Sequence, residues 1–350
     1  MTVLAGSDGI HAIRRSLAAR RRRVTVILLV ALLVAITASL YFGDYPVAPA
    51  DIVRSLLSPV TGDVNKGVDF IVLSVRLPRT VLAILTGIAF ALSGAIFQTL
   101  LRNPLASPDI IGISHGASAA AVVCIVVLGI SGIGVSLGAL AGALATALAI
   151  YGLAWRGGVT AYRIVLVGIG MAAIMSAVIS YLFTRARLNE VQEALAWLVG
   201  SLNAASLNNI IPLAAALAVL TPATIYLVRG LDVMQLGDDA AMALGNRVEW
   251  TRLGLILVAV GHAAFATAAV GPVAFVAFVS GPIARFLLAG AGGGFLQSAL
   301  VGATVMLGSD MVAQHALPAT QLPVGVVTGI FGAGFLLWLL AASSREGRVA

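Results

Sequence analysis

Long apolar runs separated by short polar stretches occupy almost the whole chain, and they dictate what it folds into. Of the 350 residues, 60% are hydrophobic and only 10% are charged, whereas soluble domains carry roughly 25% charged residues. A helix needs about 20 apolar residues to cross the hydrocarbon core of a membrane. The apolar content therefore predicts about ten spans and leaves no length for a water-soluble catalytic domain.

We predict an all-α fold, a polytopic transmembrane bundle of about ten helices. Residues 1–23 form a basic N-terminal tail, 24–342 the transmembrane permease domain and 343–350 a C-terminal tail. The predicted spans, with ends placed to within about three residues, are 24–42, 79–101, 112–129, 132–154, 162–184, 206–228, 251–270, 273–290, 297–314 and 322–342.

The basic residues orient the bundle. Six arginines, Arg14, Arg15 and Arg20–Arg23, precede the first apolar run, whose 19 residues exceed the roughly 7 to 15 of a signal-peptide core, which predicts a retained helix. With both termini in the cytoplasm, 15 of the 21 basic residues lie inside and 6 outside, as the positive-inside rule requires. These charges sit between apolar runs, so the net charge of +7 does not indicate nucleic-acid binding.

Spaced glycines predict closely packed helices. Gly134, Gly138 and Gly142 recur every four positions, and Gly325 and Gly329 repeat the spacing. Small residues on one stripe let helix backbones approach each other in lipid. The single cysteine, Cys124, lies in an apolar run and is expected to be a packed or lipid-facing residue.

The polar residues do not indicate catalysis. The four histidines have no Asp, Glu or Cys at metal-ligand or triad spacing, so we predict no metal, no cofactor and no catalytic residue. Asp310 is the only acid within a predicted span, which gives weak support for ion coupling. The sequence has no phosphate-binding loop, so an ATPase driving transport would be another polypeptide.

A long polar block carries the strongest motif. It contains Arg76-Leu-Pro-Arg79, then Ser93-Gly-Ala-Ile-Phe-Gln98, then Arg102–Asp109 and Gly112–Ala117. Pro104 and Pro108 break the helix at membrane depth, where protein must cover the freed backbone groups. In order and spacing, the block resembles the FecCD family, the permease subunits of bacterial ABC importers for ferric siderophores, haem and vitamin B12.

Two further segments extend this resemblance over residues 40–341. The closing motifs are similar in residues 270–276, 280–285, Asp310 and 321–328. In the family, the segment after the sixth span forms short helices that dock on the ATPase. The resemblance places this coupling segment within residues 229–250, at Leu236, Gly237, Asp238, Asp239, Ala240, Ala243, Leu244 and Gly245.

Three departures from the family pattern help to distinguish among its subfamilies. Gly281-Pro282 stands where many members have Pro-His, Gly334 where many have Pro, and Gln314 where the vitamin B12 branch has Arg. The runs Gln-Leu-Pro-Val-Gly at 321–325 and Ser-Pro-Asp-Ile-Ile-Gly at 107–112 most resemble the second permease of catecholate siderophore importers. A vitamin B12 or haem permease, an ion-coupled secondary transporter and an intramembrane enzyme remain the alternatives.

The resemblance also implies partners and sites. A family importer has two permeases, two ATPase subunits and an external substrate-binding protein in the bacterial cytoplasmic membrane. Arg76 and Arg79 correspond to positions that pair with acids of the binding protein, although they could instead anchor a helix end at the interface. Asn103, Pro104 and Pro108 are predicted to form a structural and gating element.

Overall fold

The computed structural model describes residues 7–43, 45–62, 65–156, 160–292, 294–317 and 320–346. Residues 1–6 of the predicted N-terminal tail and residues 347–350 of the predicted C-terminal tail lie outside these ranges. Within them the fold is all-helical, apart from an isolated bridge between Leu317 and Thr320. The all-α prediction is therefore confirmed.

The helices of the described residues follow one another along the whole chain. Two π-helical segments, Phe70–Arg76 and Val123–Val127, adjoin α4 and α5 respectively. The α-helices are α1 (Ser7–Tyr41), α2 (Pro49–Thr61), α3 (Lys66–Asp69), α4 (Leu77–Leu100), α5 (Ile113–Val122), α6 (Ile133–Ala154), α7 (Ala161–Arg185), α8 (Leu188–Leu198), α9 (Leu207–Met234), α10 (Asp238–Ala243), α11 (Val248–Val270), α12 (Val276–Leu288), α13 (Phe295–His315) and α14 (Val324–Glu346).

Each predicted span falls on a helix, but the helices differ in length. Among the described residues, seven helices are long and apolar enough to cross a membrane, and three apolar segments are shorter. The shorter segments are Ile113–Val127, Val276–Leu288 and Val324–Leu339. The structure thus establishes a helical bundle with seven candidate spans, and the count of ten stays a prediction.

Several helix boundaries differ from the sequence expectation; helix α9, for example, continues past the predicted end at residue 228 to Met234. Helix α1 begins at Ser7, well before residue 24, because the alanines and arginines of the basic segment are good helix formers. Helix α12 begins at Val276, after a non-helical Gly271–Ala274 stretch and after Phe275, which has φ +69°. This start lies within three residues of the expected residue 273, and Gly271 and Pro272 disfavour an earlier one.

Helix α4 lies at the centre of the bundle and packs against α13, α11, α12 and α9. Its Phe90 and Phe97 are fully buried. A Cβ on Gly87 would collide with the Gly302 carbonyl of α13, and one on Gly302 would collide with the Gly87 carbonyl. The two backbones approach this closely only because neither residue has a side chain.

The predicted glycine stripe of α6 packs against α5 and the segment that follows it. A Cβ on Gly142 would lie 2.6 Å from the Gly116 carbonyl oxygen, and one on Gly138 would collide with the Cys124 sulfur. Cys124 is buried at this contact. The stripe therefore serves helix packing.

Candidate functional site

The polar segment between α9 and α11 folds as a short helix between two tight turns. Helix α10 spans Asp238–Ala243. Gly237 before it has φ +109° and Gly245 after it has φ +84°, backbone conformations that favour glycine. The glycines of the predicted coupling segment thus set the turns that separate α10 from its neighbours.

One side of the coupling segment is anchored to the bundle. Ala241 is fully buried against Met234 and Val248. The Asn246 side-chain amide donates a hydrogen bond to the Gly230 carbonyl at 2.8 Å, and Asp238 forms an ion pair of 2.7 Å with Arg252. These contacts hold α10 against the ends of α9 and α11.

The other side is exposed and apolar. Leu236 and Leu244 are each 68% exposed, Met242 is 55% exposed and Trp250 is 72% exposed. Together these four residues form what we call the apolar docking face; Asp239, Ala240 and Ala243 are exposed near them. Large apolar side chains exposed beside charged residues are candidates for an interaction site. The family motif does not include Met242 or Trp250. Two large apolar side chains within a polar stretch of sequence could have indicated them.

The helix break after α4 contacts the coupling segment directly. Arg102, in the left-handed conformation with φ +50°, donates a hydrogen bond to the Met234 carbonyl at 2.6 Å. A cavity of about 380 Å³ lies between the two elements, and Arg102, Gln235, Asp238 and Arg252 are among its lining residues. Sequence reasoning treated the two segments separately, whereas the structure joins them.

Side chains and a carbonyl within the break accept hydrogen bonds from nearby backbone N–H groups. Asn103 Oδ1 accepts from the Leu105 N–H at 2.9 Å, and Ser107 Oγ accepts from the Ile110 N–H at 3.4 Å. The carbonyl of Pro108 accepts from the Ile113 N–H at 3.1 Å. Local hydrogen bonds thus stabilise the break at Asn103, Pro104 and Pro108. Its gating role stays a prediction.

Asp109 is the acid of this break, and its carboxylate accepts a hydrogen bond from the Ser114 hydroxyl. Burial raises the pKa of the Asp109 carboxyl, while Ser114 and the nearby His115 act in the opposite direction. The contact ties the break to the first turn of α5.

At the other end of α4, Arg79 forms an ion pair within the chain. Its guanidinium donates to both carboxylate oxygens of Asp310 on α13, at 2.8 Å from Nη2 and 2.9 Å from Nε, and Nη1 donates to Gln321 at 3.0 Å. The Arg79 side chain is 12% exposed and that of Asp310 is 1% exposed. Gln314 donates a further hydrogen bond to Asp310 at 2.8 Å.

Arg76 is also buried among internal partners. Its Nη1 donates to the carbonyls of Leu40 at 2.6 Å and Tyr41 at 3.1 Å, at the end of α1. A cation suits the carbonyl end of a helix. Both predicted docking arginines therefore have contacts within the chain that the sequence did not reveal, and their docking role stays a prediction.

The described residues contain no group of three or more His, Cys, Asp or Glu side chains placed to hold a metal ion. His262, in the middle of α11, is buried and makes a 3.1 Å hydrogen bond with Thr224 of α9. This pair links two neighbouring helices.

Comparisons with known proteins match almost the whole chain. The model of the FecCD transport family matches residues 31–342. The ferric enterobactin transport system permease protein FepG of Escherichia coli is 38% identical over 328 residues, covering 93% of this chain and 98% of FepG. The achromobactin transport system permease protein CbrC of Dickeya dadantii is 38% identical over 322 residues, covering 91% of this chain and 90% of CbrC.

A solved structure shares the fold. It is described as an inward-facing conformation of a metal-chelate type ABC transporter, and it superposes with a TM-score of 0.80 over 92% of this chain and 99% of that one. The two sequences are 22% identical. The likeness therefore concerns the arrangement of the helices.

Proposed function

Since the chain belongs to the FecCD transport family, we propose that it is a permease subunit of an ATP-driven importer that carries a ferric siderophore of the catecholate class across the bacterial cytoplasmic membrane. The similarity to FepG and CbrC, each 38% identical over most of the chain, supports an iron-siderophore as the substrate. The single structural observation that carries the proposal is the apolar docking face on an anchored coupling segment.

The proposed subunit has ten spans, and both of its termini lie in the cytoplasm. The excess of 15 basic residues over 6 on the side of α10 supports this orientation. A second permease, identical or different, completes the pathway at the interface between the two subunits. Two ATPase subunits bind at the cytoplasmic side and a substrate-binding protein binds at the outer side.

The chain itself performs no bond chemistry in this mechanism. ATP binding draws the ATPase subunits together, and the docked segment 229–250 moves with them. The hydrogen bond from Arg102 to the Met234 carbonyl passes this movement to the end of α4. The helices then switch between outward-facing and inward-facing openings, which ATP favours through contacts that differ between the two states.

The ATPase contact is tested by introducing charge into the apolar docking face. We expect the Met242→Glu, Leu244→Glu double variant to lose copurification of the ATPase subunit and ATP-driven uptake, because two carboxylates cannot be buried in an apolar interface without a partner. Leu188→Glu is the matched control, since Leu188 is 72% exposed and α8 lies at the opposite end of α9. Normal ATPase binding by the double variant would refute the proposed docking face.

The substrate is tested in proteoliposomes containing the complete importer. Uptake is compared for a ferric catecholate, a ferric hydroxamate and haem, each with radiolabelled iron, and for vitamin B12 with radiolabelled cobalt. The comparison separates the proposed function from its alternatives. Gln314, where the vitamin B12 branch has Arg, favours the siderophore. Uptake driven by an ion gradient without the ATPase would instead indicate a secondary transporter.

Arg76 and Arg79 remain proposed contacts of the binding protein. Both arginines line a cavity of about 220 Å³, and Tyr45 and Gln321 are among its other lining residues. An acidic side chain of the binding protein would have to share the arginines with their internal partners. Its contribution would therefore be to orientation and association rate more than to affinity.

A further inference from the structure

The basic first half of α1 projects beyond the packed part of the bundle. Helix α1 runs unbroken for 35 residues, which corresponds to about 50 Å at 1.5 Å per residue, whereas the hydrocarbon core is about 30 Å thick. Residues 11–23 are exposed on every face, and Val24 is the first buried position. Six arginines lie on this exposed helical extension.

The arginines nearest the bundle lie at the boundary between polar and apolar surface. Arg21, Arg22 and Arg23 are exposed, and within one helical turn the exposed residues become apolar, with Val26 52% and Ile27 58% exposed. An exposed surface that changes from guanidinium groups to aliphatic side chains over one turn is expected where a helix passes from headgroups into hydrocarbon.

A contact with a second helix fixes the position of the arginine cluster relative to the end of α12. The Arg20 Nε donates a hydrogen bond of 3.3 Å to the Leu287 carbonyl, at the last turn of α12. On the same side of α1, Val24 and Leu28 pack against Ala284 and Leu288. The cluster is thus held at the end of the bundle and does not swing freely.

Among the described residues, none of the arginines at positions 14–23 forms an ion pair within 4 Å of a carboxylate. Arg21 interacts electrostatically with Asp232 near the end of α9, beyond that distance. The other three guanidinium groups of Arg20–Arg23 have no carboxylate within 4 Å among the described residues. Arginine binds phosphate through a planar fork of donors. Clusters of four or more basic residues beside a span are attracted to anionic lipid.

We propose that Arg20–Arg23 form a binding site for the phosphate headgroup of an anionic phospholipid. The site needs the chain to span a membrane, as in the proposed function, but it does not depend on the transported substrate. Arg20 is fixed by its carbonyl contact and Arg21 interacts with Asp232, so Arg22 and Arg23 supply most of the headgroup contact. Arg14 and Arg15 lie about 10 Å further along the helix axis and contribute less.

The test uses the purified full-length chain in neutral detergent. It is titrated with dioleoyl-phosphatidylglycerol or dioleoyl-phosphatidylcholine, and bound lipid is counted by native mass spectrometry. We expect the wild-type chain to bind phosphatidylglycerol more tightly, and replacement of Arg20–Arg23 by Gln to reduce this preference by about fivefold or more, since each basic residue near an anionic surface contributes about that factor.

Two matched variants control for folding and for charge in general. Replacement of Arg20–Arg23 by Lys should keep much of the preference, and Arg14→Gln with Arg15→Gln should keep most of it. Equal preference in the wild-type chain and in the four-Gln variant would overturn the proposal. Loss of the preference when the ATPase subunit is bound would overturn it as well, because the cluster would then face a protein. The substrate could still be a siderophore if either result were found.

Discussion

The ion pair between Arg79 and Asp310 allows a quantitative test of what Arg79 does. If the pair is structural, removing either partner leaves a buried charge, which costs about 3–5 kcal/mol, whereas removing both costs much less than the sum. If Arg79 serves only the binding protein, its removal changes association and leaves stability unchanged.

The structure predicts unequal costs for the two single variants. Arg79→Met leaves Asp310, whose side chain is 1% exposed, with Gln314 as its remaining side-chain donor among the described residues, so we expect a loss of about 4 kcal/mol. Asp310→Asn leaves Arg79, which is 12% exposed and keeps Gln321 as an acceptor, so we expect about 3 kcal/mol. The double variant should lose about 3 kcal/mol instead of the additive value of about 7.

The assay is unfolding of the full chain in mixed micelles titrated with sodium dodecyl sulfate. Arg54→Met is the matched control, since Arg54 pairs with Asp51 at 3.8 Å but its side chain is 71% exposed, and we expect a change below about 1 kcal/mol. Stopped-flow association of the binding protein with the importer is measured on the same variants. Additive stability losses, or a stable Arg79→Met variant with slow association, would refute the structural interpretation.

Three further predictions concern helix packing, coupling and pH. Gly302→Leu should prevent folding because a side chain there meets backbone of α4, whereas Gly308→Leu in the same helix faces open space and should accumulate normally, as immunoblots of membranes would show. Arg102→Gln should leave the ATPase bound but lower uptake per ATP hydrolysed, as measured in proteoliposomes; unchanged stoichiometry would contradict this. Because burial raises the pKa of the Asp109 carboxyl in the folded chain, its contribution to the free energy of unfolding should fall as pH rises above about 4, and Asp109→Asn, which still accepts from Ser114, should reduce the pH dependence of unfolding, to which Asp232 also contributes; equal pH profiles would contradict it.

Hydropathy located the long apolar helices of the bundle, but it did not predict the shorter helices α2, α3 and α8. Lipid-exposed and buried faces of a membrane helix are both apolar, so each span appears as one continuous run in the sequence. The same continuity hides how long each helix is. The start of α12 at Val276 depends on the non-helical stretch Gly271–Ala274 and on Phe275 at φ +69°, and the ring of Phe275 packs where a side chain on Gly332 would lie. That contact joins distant parts of the chain.

The ends of the helices were less predictable than their apolar middles. The basic residues before residue 24 indicated orientation but not that the helix continues through them to Ser7, since helix formation there depends on propensity and not on hydropathy. The prediction of an N-terminal tail assumed that a run of charged residues is irregular in structure. A run rich in Arg and Ala is instead compatible with a helix that leaves the membrane without a break.

The partners of Arg79 could have been inferred in part. Asp310 is the only acid within a predicted span, and a lone carboxylate in a membrane bundle requires a cation. Which cation it meets depends on the packing of α4 against α13, which brings together residues 231 positions apart. The glycines at 87 and 302 that permit this packing are visible in the sequence, but their pairing is not.

Helix α4 connects the Arg79–Asp310 ion pair with the helix break that contacts the coupling segment. It runs from Leu77 to Leu100, about 36 Å at 1.5 Å per residue, and its proline, Pro78, lies in the first turn, where it does not interrupt the helix. Arg79 lies at one end, and the break that contacts the coupling segment through Arg102 follows the other. A displacement delivered at Arg102 would therefore reach the Arg79–Asp310 pair without crossing a hinge within α4. Weakening the contact at one end should change the equilibrium between the two openings even when the ion pair at the other end is intact.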